Sequence, residues 1–273
     1  MEKKTTASSQ NGKKLIFFGL ISIGILFLIY SKFENPSLTP DAISSIERLA
    51  VVFYILLIIS FSIIGIGLRK YQKRKALKIS QTPLTMICNM TINSKAKKVF
   101  VMTFIIYGIF FSMTSGILVY QPEVIFSYHY GATIPSAHVT PCCGAPGYMP
   151  KFVAYLTEHV GIQIIPINFV LQITVSYLVA TNTALAVNAL SLSKKTGGLG
   201  GIGATTGLFI ACPTCVGSFL SLFVGATSAV VFTVAISELQ TIFIAITIPI
   251  LLLTPLILAR KISNNKNDRC EFN

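Results

Sequence analysis

Long apolar runs, each about the length of a bilayer-crossing helix, recur along this chain and alternate with polar or basic segments. A span needs about 20 mostly apolar residues. Lipid offers no hydrogen bonds, so such a run must satisfy its own backbone, and a helix does this within one segment. The runs cover 15–31, 49–68, 99–120, 165–192, a stretch beginning near Gly201, and 242–258. They predict an all-α, polytopic integral membrane protein with six transmembrane helices, one of them broken or re-entrant at Pro213. Charged residues make up only 11% of the chain, against roughly 25% in soluble domains.

Six spans put both termini on one side of the membrane. With the N-terminus inside, the inner segments hold 19 of the Lys and Arg residues and the outer ones hold three: Lys32, Arg48 and Lys151. Basic residues between spans stay cytoplasmic, so both termini are expected in the cytoplasm of a cell-membrane protein. The net charge of +13 is then a topology signal, and no nucleic-acid partner is implied. Residues 1–13 and 263–273 have the composition of disordered cytoplasmic tails, which leaves 14–262 as one membrane domain. Lys13 and Lys14 before the first run also suit a signal peptide. No small-residue cleavage site follows, so an uncleaved anchor is expected. Tyr30, Tyr120 and Tyr148 sit near span ends, where tyrosines can anchor at the interface.

In this topology the segment 121–163 is extracytoplasmic. It holds the vicinal pair Cys142–Cys143 together with all three histidines, His129, His138 and His159. Proline and glycine around the pair impose turns. Pro150 could open a short helix over 151–159, placing Phe152, Tyr155 and Leu156 on one membrane-facing side. Neighbouring cysteines seldom bond to each other, because their alpha carbons are closer than a disulfide prefers. Cys142 and Cys143 therefore want other partners: distant thiols, a metal or another protein. His138 lies four residues before Cys142, and Met149 six after Cys143. With His129, these form a His/Cys/Met set suited to copper. The plainer alternative is a structural disulfide with ordinary loop histidines. Cys88 and Cys270 fall on the cytoplasmic side, where thiols stay reduced.

The second cysteine pair is Cys212-Pro213-Thr214-Cys215, inside an apolar stretch from Gly201 to Leu239. As a straight helix this stretch would measure about 58 Å, twice the hydrocarbon core. Pro213 removes a helical hydrogen bond and supplies the break. Three-residue spacing puts both thiols on one side of a helical turn, an arrangement suited to a reversible disulfide or to a soft metal. The plainer alternative is packing, since free cysteine is often buried. The preceding glycines contain a formal G-x-G-x-x-G, but no strand leads into it and a membrane segment follows, which excludes a dinucleotide fingerprint. Gly203 and Gly207 instead form a GxxxG for close helix packing. On the fourth run Asn168, Gln172, Ser176, Asn182 and Thr183 share one arc of a helical wheel and should face the bundle interior, most simply as interhelical hydrogen-bond glue.

The segment Gly207 to Gly217, with its Cys212-Pro213-Thr214-Cys215, resembles one cysteine segment of the DsbD/CcdA family of membrane thiol–disulfide carriers. The segment Pro141-Cys142-Cys143-Gly144 through Tyr148 echoes another. The resemblance spans about 30 residues and implies about six spans and outward transfer of reducing equivalents. That family places its two reactive cysteines on two spans, whereas here the first run has none and one pair lies in an outer loop.

Two functions follow as expectations. One is a thiol-redox membrane protein in which Cys212 and Cys215 exchange with Cys142 or Cys143, or with an extracytoplasmic thiol protein. The alternative is a copper or other soft-metal protein, a permease or a metalloenzyme subunit, served by a metal-carrying partner. A structural membrane subunit is the third reading.

Overall fold

The computed structural model describes residues 2–32, 40–77, 84–85, 87–88, 94–141, 147–194, 248–257 and 260. The elements are α1 (Glu2–Ser31), α2 (Pro40–Ala76), α3 (Ser94–Thr114), β1 (Leu118–Tyr120), α4 (Phe126–Tyr130), β2 (Ser136–Thr140), β3 (Lys151–Tyr155), β4 (Val160–Ile164), α5 (Pro166–Lys194) and α6 (Ile248–Ile257). Among the described residues four stretches are long and apolar enough to cross a membrane: Gly12–Ser31, Ser44–Ala76, Ser94–Met113 and Pro166–Val187. They carry the first four predicted spans. Phe17, Leu28, Ile58, Met102 and Ile106 on them are each more than half exposed. Large apolar surfaces of this kind are stable against lipid and costly against water.

The fifth predicted span, with the break at Pro213, lies outside the described residues. The sixth is described over Ile248–Ile257, a stretch shorter than a span. Helix α1 reaches back to Glu2, over most of the stretch expected as a tail.

The all-α expectation is corrected by a four-stranded antiparallel sheet of order β1-β4-β3-β2. Two misread segments built it. The third run continues apolar through Tyr120, but its helix stops at Thr114. Gly116 then adopts a left-handed backbone, φ 72°, and Leu118–Tyr120 is extended. The helix expected over 151–159 is instead β3 and a turn, because Phe152 and Ala154 find partners in Ile164 and Ile162 of β4. On its other side β3 pairs with β2, His138 lying opposite Val153.

The chain divides into two compact units, Met1–Arg74 with Ser115–Gln172, and Lys75–Thr114 with Ile173–Asn273. The first holds an antiparallel pairing of α1 and α2. Gly67 faces Gly12 across it, and Ser22 shares a hydroxyl contact of 3.0 Å with Ser60. A Cβ on Gly67 would stand 2.9 Å from Leu15 Cβ and 3.0 Å from the Gly12 carbonyl, so only glycine permits this approach. Farther along, Tyr30, Ala50, Phe53 and Leu57 form a buried cluster, with Phe27, Val139, Met149 and Phe169 packed around it. The second unit is centred on Val175, Leu178 and Leu251, with Tyr107 and Tyr177 alongside.

Candidate functional site

Cys142, Cys143, Cys212, Cys215, Pro213, Gly203 and Gly207 lie outside the described residues. The residues flanking the vicinal pair are described, and both flanks are held. On the near side the Tyr30 hydroxyl donates to the Pro141 carbonyl at 2.8 Å. Tyr30 is buried, its ring 5.1 Å from that of Phe53, which corrects its reading as an interfacial anchor. On the far side the Ile167 N–H donates to the Gly147 carbonyl at 3.0 Å. The first N–H groups of a helix have no partner within it, and Ile167 stands just after Pro166 at the start of α5. Gly147 has φ 89°, and a Cβ there would meet Phe27 and Ile167 at 3.6 Å.

Beyond Gly147 the Tyr54 hydroxyl lies between two carbonyls, those of Pro150 and Ile164, the latter at 2.8 Å. It has one proton to share between them. Each such bond contributes about 1 kcal/mol net, and an unsatisfied buried carbonyl costs more. Pro141 is thus held by α1 and Gly147 by the first turn of α5.

The histidines are spread over the sheet and have mostly local roles. His159 Nδ1 lies 3.2 Å from the Gln121 carbonyl and 3.1 Å from that of Val124. His129 Nδ1 lies 3.2 Å from the Ile125 carbonyl, one turn back along α4. Between them the Glu158 carboxylate accepts from the Ser127 N–H at 3.2 Å and its hydroxyl at 2.7 Å, tying the β3–β4 turn to α4. Glu158 and Ser127 carry no signal in the sequence, being separated by the two strands β2 and β3. His138 is different. It is exposed on β2, its ring 5.9 Å from Tyr155, and it makes no hydrogen bond among the described residues. Met149 packs against the α1–α2 cluster. Among the described residues no three His, Cys, Asp or Glu side chains gather as a metal site. Cys88 is buried, and burial pushes its thiol pKa up, partly offset by the Lys75 ammonium.

The predicted polar stripe lies on α5. Asn168 Nδ2 donates to the Ser115 carbonyl at 3.3 Å, Gln172 is half-buried, and Thr183 bonds back to the Val179 carbonyl. Asn182 and Ser176 are buried. The Asn182 amide donates at 3.0 Å to the Leu178 carbonyl and at 3.0 Å to that of Leu251 in α6. The second bond has a definite cause. In a helix the Leu251 carbonyl should accept from the N–H of the residue four places on, which is Pro255, and proline has none. Asn182 supplies the missing donor. This bond joins α5 to α6 at Asn182, while Asn182 Oδ1 and Ser176 Oγ have no partner among the described residues.

The fold is mostly helical, with four segments among the described residues long and apolar enough to cross a membrane and a small antiparallel sheet. The chain matches no protein-family model, no curated protein and no solved structure.

Proposed function

We propose that this is a multi-pass cell-membrane thiol–disulfide redox protein. In this reading Cys212 and Cys215 hold a reversible disulfide within the membrane, and Cys142 and Cys143 meet it or an extracytoplasmic thiol protein. A Cys142 or Cys143 thiolate attacks one sulfur of the disulfide, a mixed disulfide forms, and the other sulfur leaves as a thiolate. A second thiol resolves the mixed disulfide, so two electrons move and each departing sulfur gains a proton. Both termini are cytoplasmic, on the strength of the asymmetry of basic residues.

The observation that carries this reading is the double tether. Cys142 is bonded directly to Pro141, which Tyr30 holds, and the segment ends at Gly147, which Ile167 holds. A thiol pair that must meet another sulfur at bonding distance gains rate from restricted position. The copper reading draws on one specific feature, the exposed His138 ring four residues before Cys142. His129, with its Nδ1 at a carbonyl, and Met149, packed in the core, lend it less.

Thiol trapping of the purified protein across a redox titration, with metal analysis of the same sample, separates the two. The expected outcome is a two-electron transition that Cys212→Ser abolishes, with no bound copper. Trapping at pH 7 keeps the background low, because the raised pKa of Cys88 leaves it protonated and slow. Bound copper lost in Cys212→Ser, with no titrating disulfide, would reverse the assignment.

A further inference from the structure

Away from the cysteines, the α1–α2 pair carries a groove of about 560 Å³ lined by Lys14, Leu15, Phe17, Phe18, Ile21 and Lys70. The glycine-mediated approach of the two helices narrows their seam and leaves a furrow beside it. The furrow has two chemically distinct ends. Lys14 and Lys70 both line the groove, near the margin of the apolar stretch Gly12–Ser31. Both are exposed, and neither has a carboxylate partner among the described residues. One to two helical turns further into the span come Phe17, Phe18 and Ile21, which are 67%, 62% and 43% exposed. No acidic residue lines the groove.

Two unpaired ammonium groups above an apolar furrow match one kind of occupant. We propose that the groove is a binding site for a single anionic phospholipid, its phosphate between Lys14 and Lys70 and an acyl chain along Phe17, Phe18 and Ile21. Charge complementarity selects the headgroup. A zwitterionic lipid would bring a cation of its own against the two lysines. A free phosphate would meet the charges but leave the aromatic floor uncovered. Basic pockets between transmembrane helices recognise anionic headgroups in this way. Lys13 does not line the groove; its ammonium lies 5.9 Å from the centroid of the Tyr71 ring.

The test uses the full chain in mild detergent, titrated with phosphatidylglycerol or phosphatidylcholine and read by native mass spectrometry. Phosphatidylglycerol should be retained as a single adduct and phosphatidylcholine should not. The double variant Lys14→Gln with Lys70→Gln should weaken retention by about 30-fold, whereas the charge-matched Lys97→Gln with Lys98→Gln should change it by about 3-fold or less. Ile21→Trp, which fills the furrow without changing charge, should also reduce it. Excess inorganic phosphate should not displace the lipid. Equal retention of the two lipids, an equal loss in the Lys97 and Lys98 control, or displacement by phosphate would each overturn the proposal. So would a second copy of the chain occupying the groove, seen as a dimer that phosphatidylglycerol does not dissociate.

Discussion

The sheet at 118–164 and the contact between α5 and α6 meet the same difficulty, a main-chain carbonyl with no partner in its own element, and they resolve it with different side chains. Around the sheet, Pro141 follows β2 and Pro150 precedes β3, so their carbonyls stand where the ladder runs out, while Ile164 is the last residue of β4, opposite Phe152. Tyrosine hydroxyls from α1 and α2 reach them. A tyrosine brings one donor on an apolar ring, and the rings of Tyr30 and Tyr54 extend the aromatic packing around Phe53. Between α5 and α6 the carbonyl of Leu251 is freed by Pro255, and an amide reaches it. Asparagine brings an acceptor as well as donors, and that acceptor, Oδ1, is buried without a partner among the described residues. Tyrosine therefore meets these carbonyls with a single hydroxyl on a packed ring, while asparagine secures two carbonyls with its amide N–H groups and leaves its own oxygen without a partner among the described residues.

The largest effect is expected where one hydroxyl meets two carbonyls. Tyr54→Phe keeps the ring and removes the hydroxyl that reaches the Pro150 and Ile164 carbonyls, which should destabilise the first unit by about 2 kcal/mol. Denaturant titration in detergent, followed by proteolysis between β2 and α5, reads this directly. A variant as stable as the parent would mean that those carbonyls are hydrated, and the contrast with α5 and α6 would disappear.

How far the sequence discloses these arrangements depends on how local their causes are. The first two spans are legible because their apolar length alone dictates helix. The 15–31 run falls within Gly12–Ser31 and the 49–68 run within Ser44–Ala76. The third run misleads because Leu118, Val119 and Tyr120 are apolar in either a helix or a strand, and only Ser115 and Gly116 mark the stop. The reading of 151–159 fails for a deeper reason. Phe152, Tyr155 and Leu156 do have helical spacing, and the strand wins only through pairing with β2 and β4. The burial of Ser176 and Asn182 was foreseeable from the polar arc. The task of Asn182 was not, since Pro255 creates the vacancy on a different helix. Tyr30 likewise acts on a residue 111 positions away. Of the candidate site, the flanks of Cys142 and Cys143 are now placed, while the sulfur atoms lie outside the described residues.

The α5–α6 contact can be tested at its cause. Asn182→Ala should cost about 1 kcal/mol, in the range measured for interhelical hydrogen bonds within membranes. Pro255→Ala restores an N–H for the Leu251 carbonyl, so in that background the amide becomes redundant. The double-mutant cycle should then give a coupling of about 1 kcal/mol; additive effects would show that Asn182 does not act through the carbonyl that Pro255 frees. Ser176→Ala should have the smallest effect. Its hydroxyl has no partner among the described residues, and it faces Gly108, where an added Cβ would lie 3.8 Å from Oγ. Removing an unsatisfied buried hydroxyl loses no bond and relieves a desolvation cost, so stability should hold or rise by up to about 1 kcal/mol. A clear loss would assign Ser176 a polar partner of its own.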